Sequence, residues 1–442
     1  MPTPENHLDG TTVLRFAHAF ETGGGVERYL DDLDHHLLQR NAMTIVRLHL
    51  ASNRNQLAER VESIGRGQLI KVPLALPENE SVQGAEDNFE AELPLKRVFR
   101  DWVLYNPAVW RFGAEKMFLR RPIARQFGQA VGAGAKVAEI LKRQRVDLIV
   151  LHFMGGSDAD EIVQQAQLGQ VPFVVVNHFS NDRFLHLSIR KHATLADAVA
   201  GVNGLDLPRY VRAKFHNVSD GIDINYFRAS AAQTAPSGLP PRIILPARIL
   251  RSKGHLDLVR AAAMIKRQEI PFRVGFAGRT DSEDFVRQLR AEIAQVGLDK
   301  EFEFLGSLPV DKLRDAYANS AIMSLPTYHH EGLPRTILEA QAMGLPVVAY
   351  ATGGLADGVA HGESGYLVDT GDVSGLAARL EQLLRRPELR KRMGEDGRAL
   401  VERRFSLETL ALRHEELYCK IKRNPARAPV SLVSAQWRVK PI

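Results

Sequence analysis

An α/β protein of two doubly wound, Rossmann-like domains is the fold this sequence predicts, and three observations carry the prediction. Short apolar runs alternate with helix-period stretches along most of the 442 residues, the signature of β–α units in parallel sheets. Most runs are continuously apolar rather than alternating, as strands covered on both faces require. A Pro- and Ala-rich stretch, Arg228–Pro241, reads as a linker between halves of similar size.

The strands expected in the first half are Thr12–Phe16, Asp147–Leu151, Phe173–Val176 and Ala198–Val202. Those in the second half are Ile243–Pro246, Phe272–Ala277, Phe302–Leu305, Ile322–Leu325, Pro346–Tyr350 and Gly365–Val368. Helix-period stretches lie between them; in Lys253–Arg267, Leu256, Val259 and Ala263 form an i, i+3, i+7 stripe. The expected division is 1–225, 226–405 and a terminal segment 406–442, with an irregular insertion over about 72–134.

Composition narrows the function classes. No apolar stretch approaches the roughly 20 residues that span a bilayer. The N-terminus shows no basic region followed by an apolar one, so no secretion signal is expected. The single cysteine, Cys419, excludes an internal disulfide framework and a multi-cysteine metal site, and a reducing cytosol is the simplest home. The net charge is +6, and residues 96–126 alone hold eight Lys/Arg against two acids, with six aromatics interleaved. Residues 420–442 add six basic residues and no acid. Such patches suit anionic partners such as a lipid surface, phosphates or nucleic acid. An insertion that packs its aromatics inward and leaves its arginines in water is the alternative for 96–126.

In open parallel sheets, ligands sit beyond the carboxyl ends of the strands, and two such domains face to face would make a cleft. Four polar segments follow strands. Gly23-Gly24-Gly25, before Val26-Glu27-Arg28, lets backbone approach a ligand and opens a helix whose N–H groups face an anion; an ordinary βα turn is the alternative. Arg248, Arg251 and Lys253, before Gly254, gather cations at a strand end, a diphosphate clamp or a solvated basic turn. Glu331-Gly332-Leu333-Pro334-Arg335-Thr336 leads into a helix with Pro334 suited to its first position and Glu339 on the helix itself. Carboxylates there could accept hydrogen bonds from sugar hydroxyls, or could be solvated. His178 ends the run Phe173–Val176 and would point into the cleft, or serve as a cap or core histidine. The pairs His329/His330 and His186/His192 lack a metal-ligand spacing, and no metal site is expected.

Taken together, these residues resemble the retaining glycosyltransferases of the GT-B fold, specifically family 4. The resemblance rests on Ser219-Asp220-Gly221-Ile222-Asp223, on Arg248 with Lys253-Gly254, on Phe304-Leu305-Gly306, on the Glu331 to Glu339 E-x7-E element, and on Gly353-Gly354 with His361-Gly362-Glu363-Ser364-Gly365-Tyr366-Leu367-Val368. Their order and spacing are specific; each alone is not. The resemblance implies a nucleoside-diphosphate sugar donor, UDP- or GDP-linked, and transfer of a hexose with retention to a glycan or lipid-linked acceptor in surface polysaccharide or lipopolysaccharide synthesis. It implies that Arg248 and Lys253 neutralise the diphosphate and that Glu339 holds the ribose. Glu331, with Leu333, Pro334, Arg335 and Thr336, would grip the sugar; Gly24 and Gly25 would close over the donor, and His178 would sit by the reacting carbon. No metal and no cofactor are implied, and the last helix, around Leu407–Cys419, would cross back onto the first domain.

Two departures, Leu355-Ala356-Asp357 after the glycine pair and Asp220 where asparagine is common, leave the donor open. A GT-B epimerase, a phosphorylase-like enzyme and a non-catalytic nucleotide-sugar binder are the alternatives. The expected setting is the cytoplasm, peripheral at the inner membrane face through 96–126 and the tail, with no nucleic-acid partner.

Overall fold

The computed structural model of the chain describes residues 8–20, 25–51, 58–75, 132–152, 157–178, 192–202, 209–218, 220–228, 238–329 and 332–423. The basic insertion 96–126, the basic tail beyond 423, Gly24, His330 and Glu331 lie outside the described residues.

The first sheet is built from β1 (Thr12–Phe20), β2 (Thr44–Leu50), β3 (Arg60–Ile64), β4 (Gly67–Leu74), β5 (Leu148–His152), β6 (Phe173–Asn177), β7 (Ala198–Gly201) and β8 (Phe215–Asn217). Its helices are α1 (Gly25–Arg40), α2 (Ala133–Arg143), α3 (Ser157–Leu168) and the short α4 (Arg209–Arg212). The strand order is β3-β4-β2-β1-β5-β6-β7-β8, with only β3 antiparallel to its neighbour β4.

The second sheet is built from β9 (Arg242–Pro246), β10 (Arg273–Ala277), β11 (Phe302–Gly306), β12 (Ile322–Leu325), β13 (Val347–Tyr350) and β14 (Gly365–Val368). Around it run α5 (His255–Lys266), α6 (Glu283–Gln295), α7 (Val310–Ala318), α8 (Arg335–Ala342), α9 (Leu355–Gly358), α10 (Val373–Arg385) and α11 (Pro387–Arg404), and α12 (Leu407–Arg423) ends the described chain. Its order, β11-β10-β9-β12-β13-β14, is the doubly wound order with its reversal between β9 and β12.

All ten expected runs are strands, and the reason is visible in β5 and β6. Ile149, Leu151, Phe173 and Val175 point into one apolar cluster, Leu148, Val150, Val174 and Val176 into the other. Period-two side chains with both faces covered demand an unbroken apolar run. Each such side chain, fully buried, contributes about 2 kcal/mol of transfer free energy.

The stripe anticipated for α5 is shifted. Leu258, Val259, Ala261, Ala262 and Ile265 are its deepest apolar positions, while Leu256 and Ala263 are only partly covered. The helix is enclosed over more than one stripe.

The last helix does cross back. Leu407, Leu410, Ala411, Leu417, Tyr418 and Ile421 of α12 join the cluster formed by α1 and the first sheet. Polar contacts fix its register: Arg40 Nε donates to Glu415 at 2.9 Å, and Lys422 donates to the Thr11 hydroxyl at 2.7 Å. Among the described residues no helix is long and apolar enough to cross a membrane.

Tight backbone approach at the carboxyl end of the second sheet yields a stability prediction. Gly254 has φ of 76°, and a Cβ there would lie 1.8 Å from the Pro326 carbonyl oxygen. Gly254→Ala meets both a left-handed backbone and a backbone collision, so it is expected to cost about 2 kcal/mol or more. A denaturant midpoint equal to that of the parent protein would contradict the packing described.

Candidate active site

Between β9 and β12 the chain winds away in opposite directions, which leaves a crevice flanked by the loops that follow these two strands. The loop after β9 carries the cations. Arg251–Lys253 make a single 3-10 turn, and Gly254 is the N-cap of α5. The loop after β12 is bound to it directly. The Tyr328 amide donates to the Ser252 carbonyl at 2.7 Å, and the Thr327 hydroxyl donates to the same carbonyl at 3.1 Å. Beneath them buried Asp257 accepts from the hydroxyls of Tyr328 at 2.5 Å and Tyr350 at 2.8 Å. The cation loop and the segment leading to Glu339 are therefore neighbours at one strand end.

Arg248 is partly exposed and donates to Asp281 at 3.2 Å; Asp281 also accepts from Arg279 at 2.6 Å. Lys253 is partly buried in the turn. The sequence places Pro334 at the first helical position, and the structure moves it one residue back. It caps α8 with extended backbone (φ −63°, ψ 123°), and Arg335 begins the helix. Leu333 is buried in the core of the second lobe, and Gly354 comes so close that a Cβ would lie 2.3 Å from the Gly332 carbonyl oxygen. Thr336 is partly exposed at the helix start. The first turn of α8 thus presents its amides at the crevice.

Glu339, one turn further along α8, is fully buried. Its Oε1 accepts from Arg28 Nη2 at 2.7 Å, and its Oε2 accepts from the Tyr317 hydroxyl at 3.1 Å. Arg28 belongs to α1, so this is a charge pair between the two lobes. Arg335 makes a second bridge. Its Nη2 donates to Asp32 of α1 at 2.5 Å, and its Nη1 donates to the Gly221 carbonyl at 2.8 Å and to Asp220 at 3.2 Å. Burial raises the pKa of Asp32 and Asp220, opposed by the Arg335 charge. Gly25, anticipated as a donor contact, is the first residue of α1.

His178 stands just past β6, against a cluster the sequence did not disclose. Its Nε2 lies 2.8 Å from Nδ1 of His152 at the end of β5, and the two rings stack 5.1 Å apart. Tyr29 of α1 packs edge-on to His178 at 4.8 Å. His414 of α12 hydrogen-bonds the Leu410 carbonyl through Nδ1 at 3.0 Å, so this nitrogen carries the proton. Its Nε2 then accepts from the Tyr29 hydroxyl at 3.1 Å. Beneath, the buried Arg15 guanidinium pairs with Asp34 and donates to the Tyr418 hydroxyl at 2.9 Å. A histidine at a strand's carboxyl end is the signal that singled out His178; applied to β5, it would also have found His152.

Burial, reinforced by the Arg15 charge, pushes His178 down to about 4 and His152 well below the ordinary histidine range. Burial pushes His414 to about 3, against the pull of its Leu410 hydrogen bond. All three are neutral in the fold at neutral pH, whereas the unfolded chain protonates them near pH 6.5. Their contribution to stability is thus complete above that pH and is lost as pH falls toward 4. Each ring should remove about 1.4 kcal/mol per pH unit over this window. In His414→Leu the acid limb of stability measured by urea unfolding should be shallower by about that slope; an unchanged slope would mean His414 already carries its charge in the fold.

Residues 228–400 match the family model of group 1 glycosyl transferases. Among curated proteins, the chain is 33% identical over 230 residues to a D-inositol 3-phosphate glycosyltransferase of Corynebacterium urealyticum, covering 49% of this chain and 54% of that one. It is 27% identical over 178 residues to the capsular polysaccharide biosynthesis glycosyltransferase CapM of Staphylococcus aureus, covering 39% and 44%. The chain spans about half the length of the curated relatives it matches. In fold it is similar to sucrose-phosphate synthase of Thermosynechococcus elongatus, with a TM-score of 0.69 at 19% identity over 93% of this chain and 99% of that one. It is likewise similar to HepE of Anabaena solved with UDP and glucose, with a TM-score of 0.66 at 17% identity over 93% and 100%. Residues 228–400 are therefore similar to group 1 glycosyl transferases, and the chain as a whole has the two-lobed GT-B fold.

Proposed function

We propose that the protein is a family 4 retaining glycosyltransferase that moves a hexose from a nucleoside-diphosphate sugar to a glycan or lipid-linked acceptor, in surface polysaccharide or lipopolysaccharide synthesis. The observation that carries the reading is the joining of the Arg248–Lys253 loop to the loop that leads to Glu339, through the Tyr328–Ser252 hydrogen bond at the sheet's reversal point. Cations and helix amides at one strand end suit a diphosphate. The similar D-inositol 3-phosphate glycosyltransferase and capsular polysaccharide biosynthesis glycosyltransferase support this class.

In this reading Arg248 and Lys253 neutralise the diphosphate as the bond from its oxygen to the anomeric carbon breaks. Charge developing on the leaving group is then met by groups already in position, with little reorganisation. The acceptor hydroxyl forms the new bond on the same face, and its proton passes to the departing phosphate oxygen. Glu331 and the backbone of Leu333, Pro334, Arg335 and Thr336 hold the sugar, and Gly24 and Gly25 close over it from the first lobe. Glu339 takes the ribose hydroxyls, which requires Arg28 to yield its place on Oε1. His178 attends the reacting carbon. Residues 96–126 and the tail bring the enzyme to an anionic membrane surface from the cytoplasmic side.

Thermal-shift screening of UDP-, GDP- and ADP-sugars should identify one donor. Arg248→Ala and Lys253→Ala should each lower turnover with that donor by about 10²-fold or more; near-normal rates in either would sink the diphosphate assignment. Calorimetry should show weaker nucleotide binding by Glu339→Gln, and equal affinity would remove the ribose role.

A further inference from the structure

His178 makes a short polar contact with another histidine. His152 ends β5, pairs with Val176 of β6 in the ladder and is fully buried. Because His178 follows Val176 by two residues, the two imidazoles meet at the end of the sheet, stacked with an interplanar angle of 23°. Burial keeps both rings neutral at neutral pH, so each carries one ring proton and one bare nitrogen. Two arrangements satisfy the 2.8 Å contact: either His152 donates from Nδ1, or His178 donates from Nε2.

The other nitrogen of His152 decides between them. His152 Nε2 is buried and has no hydrogen-bond partner among the described residues. If His178 were the donor, the His152 proton would sit on Nε2, an orphaned buried N–H, which folded proteins rarely tolerate. If His152 is the donor, Nε2 is a bare nitrogen facing the apolar interior, and its one N–H is used.

We propose that His152 is a positioning residue: it donates from Nδ1 to Nε2 of His178 and thereby holds His178 as the Nδ1–H tautomer. The inference rests on the reading of His178 as the group beside the reacting carbon, and it deepens that reading. A neutral ring whose Nε2 lone pair is already engaged cannot take the acceptor's proton at that atom. His178 then serves as a hydrogen-bond donor through Nδ1 to a sugar oxygen, and the acceptor proton goes to the departing phosphate. Tyr29, held by His414, packs edge-on to both imidazoles and restricts their rotation.

The test is two-bond proton–nitrogen correlation NMR on the full chain labelled with 15N-histidine, with the His178 signal identified by its loss in His178→Ala. The parent protein should show His178 as Nδ1–H; an Nε2–H pattern overturns the proposal without any further variant. In His152→Leu the His178 pattern should move to Nε2–H, and kcat should fall on the order of 10-fold or more, the kind of loss a wrong tautomer produces, with the donor KM held. His152→Asn, whose side-chain amide sits near the former Nδ1, should restore both the tautomer and kcat. Retention of Nδ1–H in His152→Leu, or equal losses in the Leu and Asn variants, overturns it. Transfer that survives His178→Ala would instead remove the role of His178, a failure that the tautomer measurement keeps separate.

Discussion

The structure depends on neutralising one buried charge. Arg15 lies in the middle of β1 with no exposed surface, and a lone guanidinium there would be prohibitively costly. Asp34 of α1 pairs with it, Arg47 of β2 shares that carboxylate at 2.8 Å from Nε, and the Tyr418 hydroxyl of α12 accepts from its Nη2. Four elements are thereby held in one rotational setting. Replacing either partner of such a cluster leaves a charge stranded, so its members constrain one another far more than a surface pair would.

That setting orients α1, and α1 is the hub from which the two lobes are joined. Arg28 reaches Glu339, Tyr29 reaches His414 and flanks His178, Asp32 reaches Arg335, and Arg40 reaches Glu415. These contacts leave one helix in several directions, three of them toward the crevice. A shift of α1 by one residue would break all of them together. The nucleotide, sugar and histidine regions of the proposed site are thus tied to a single rigid element, as a reaction demanding sub-ångström placement requires.

Much of the fold was legible because parallel strands announce themselves as unbroken apolar runs. What escaped were strands that break that rule. β2, Thr44–Leu50, carries Arg47 and His49 inside an otherwise apolar run, and both are buried. Arg47 is acceptable there only because Asp31 and Asp34 arrive from α1, a partnership that no local window contains. β3 and β4 form an antiparallel edge ribbon, and β8 has three residues. At the site, residue types at strand ends marked Arg248, Lys253, Glu339 and His178. Their partners did not show, because Arg28 is more than 300 positions from Glu339 and His414 more than 380 from Tyr29. Pro334 misled by one position: its φ suits a helix, but its ψ is extended, and it caps.

The return of α12 onto the first lobe has a consequence for how the protein is made. Among the described residues, the buried members of the second lobe's apolar cluster run from Ile222 to Phe405. One face of the first lobe draws on Leu8 and Val13 at one extreme and on Tyr418 and Ile421 at the other. As the chain leaves the ribosome, the lobe synthesised later can close its interior on its own residues, while the earlier one must wait, with one side of its sheet uncovered, until the last described helix has emerged. Nascent chains halted short of residue 407 would present that apolar side to chaperones.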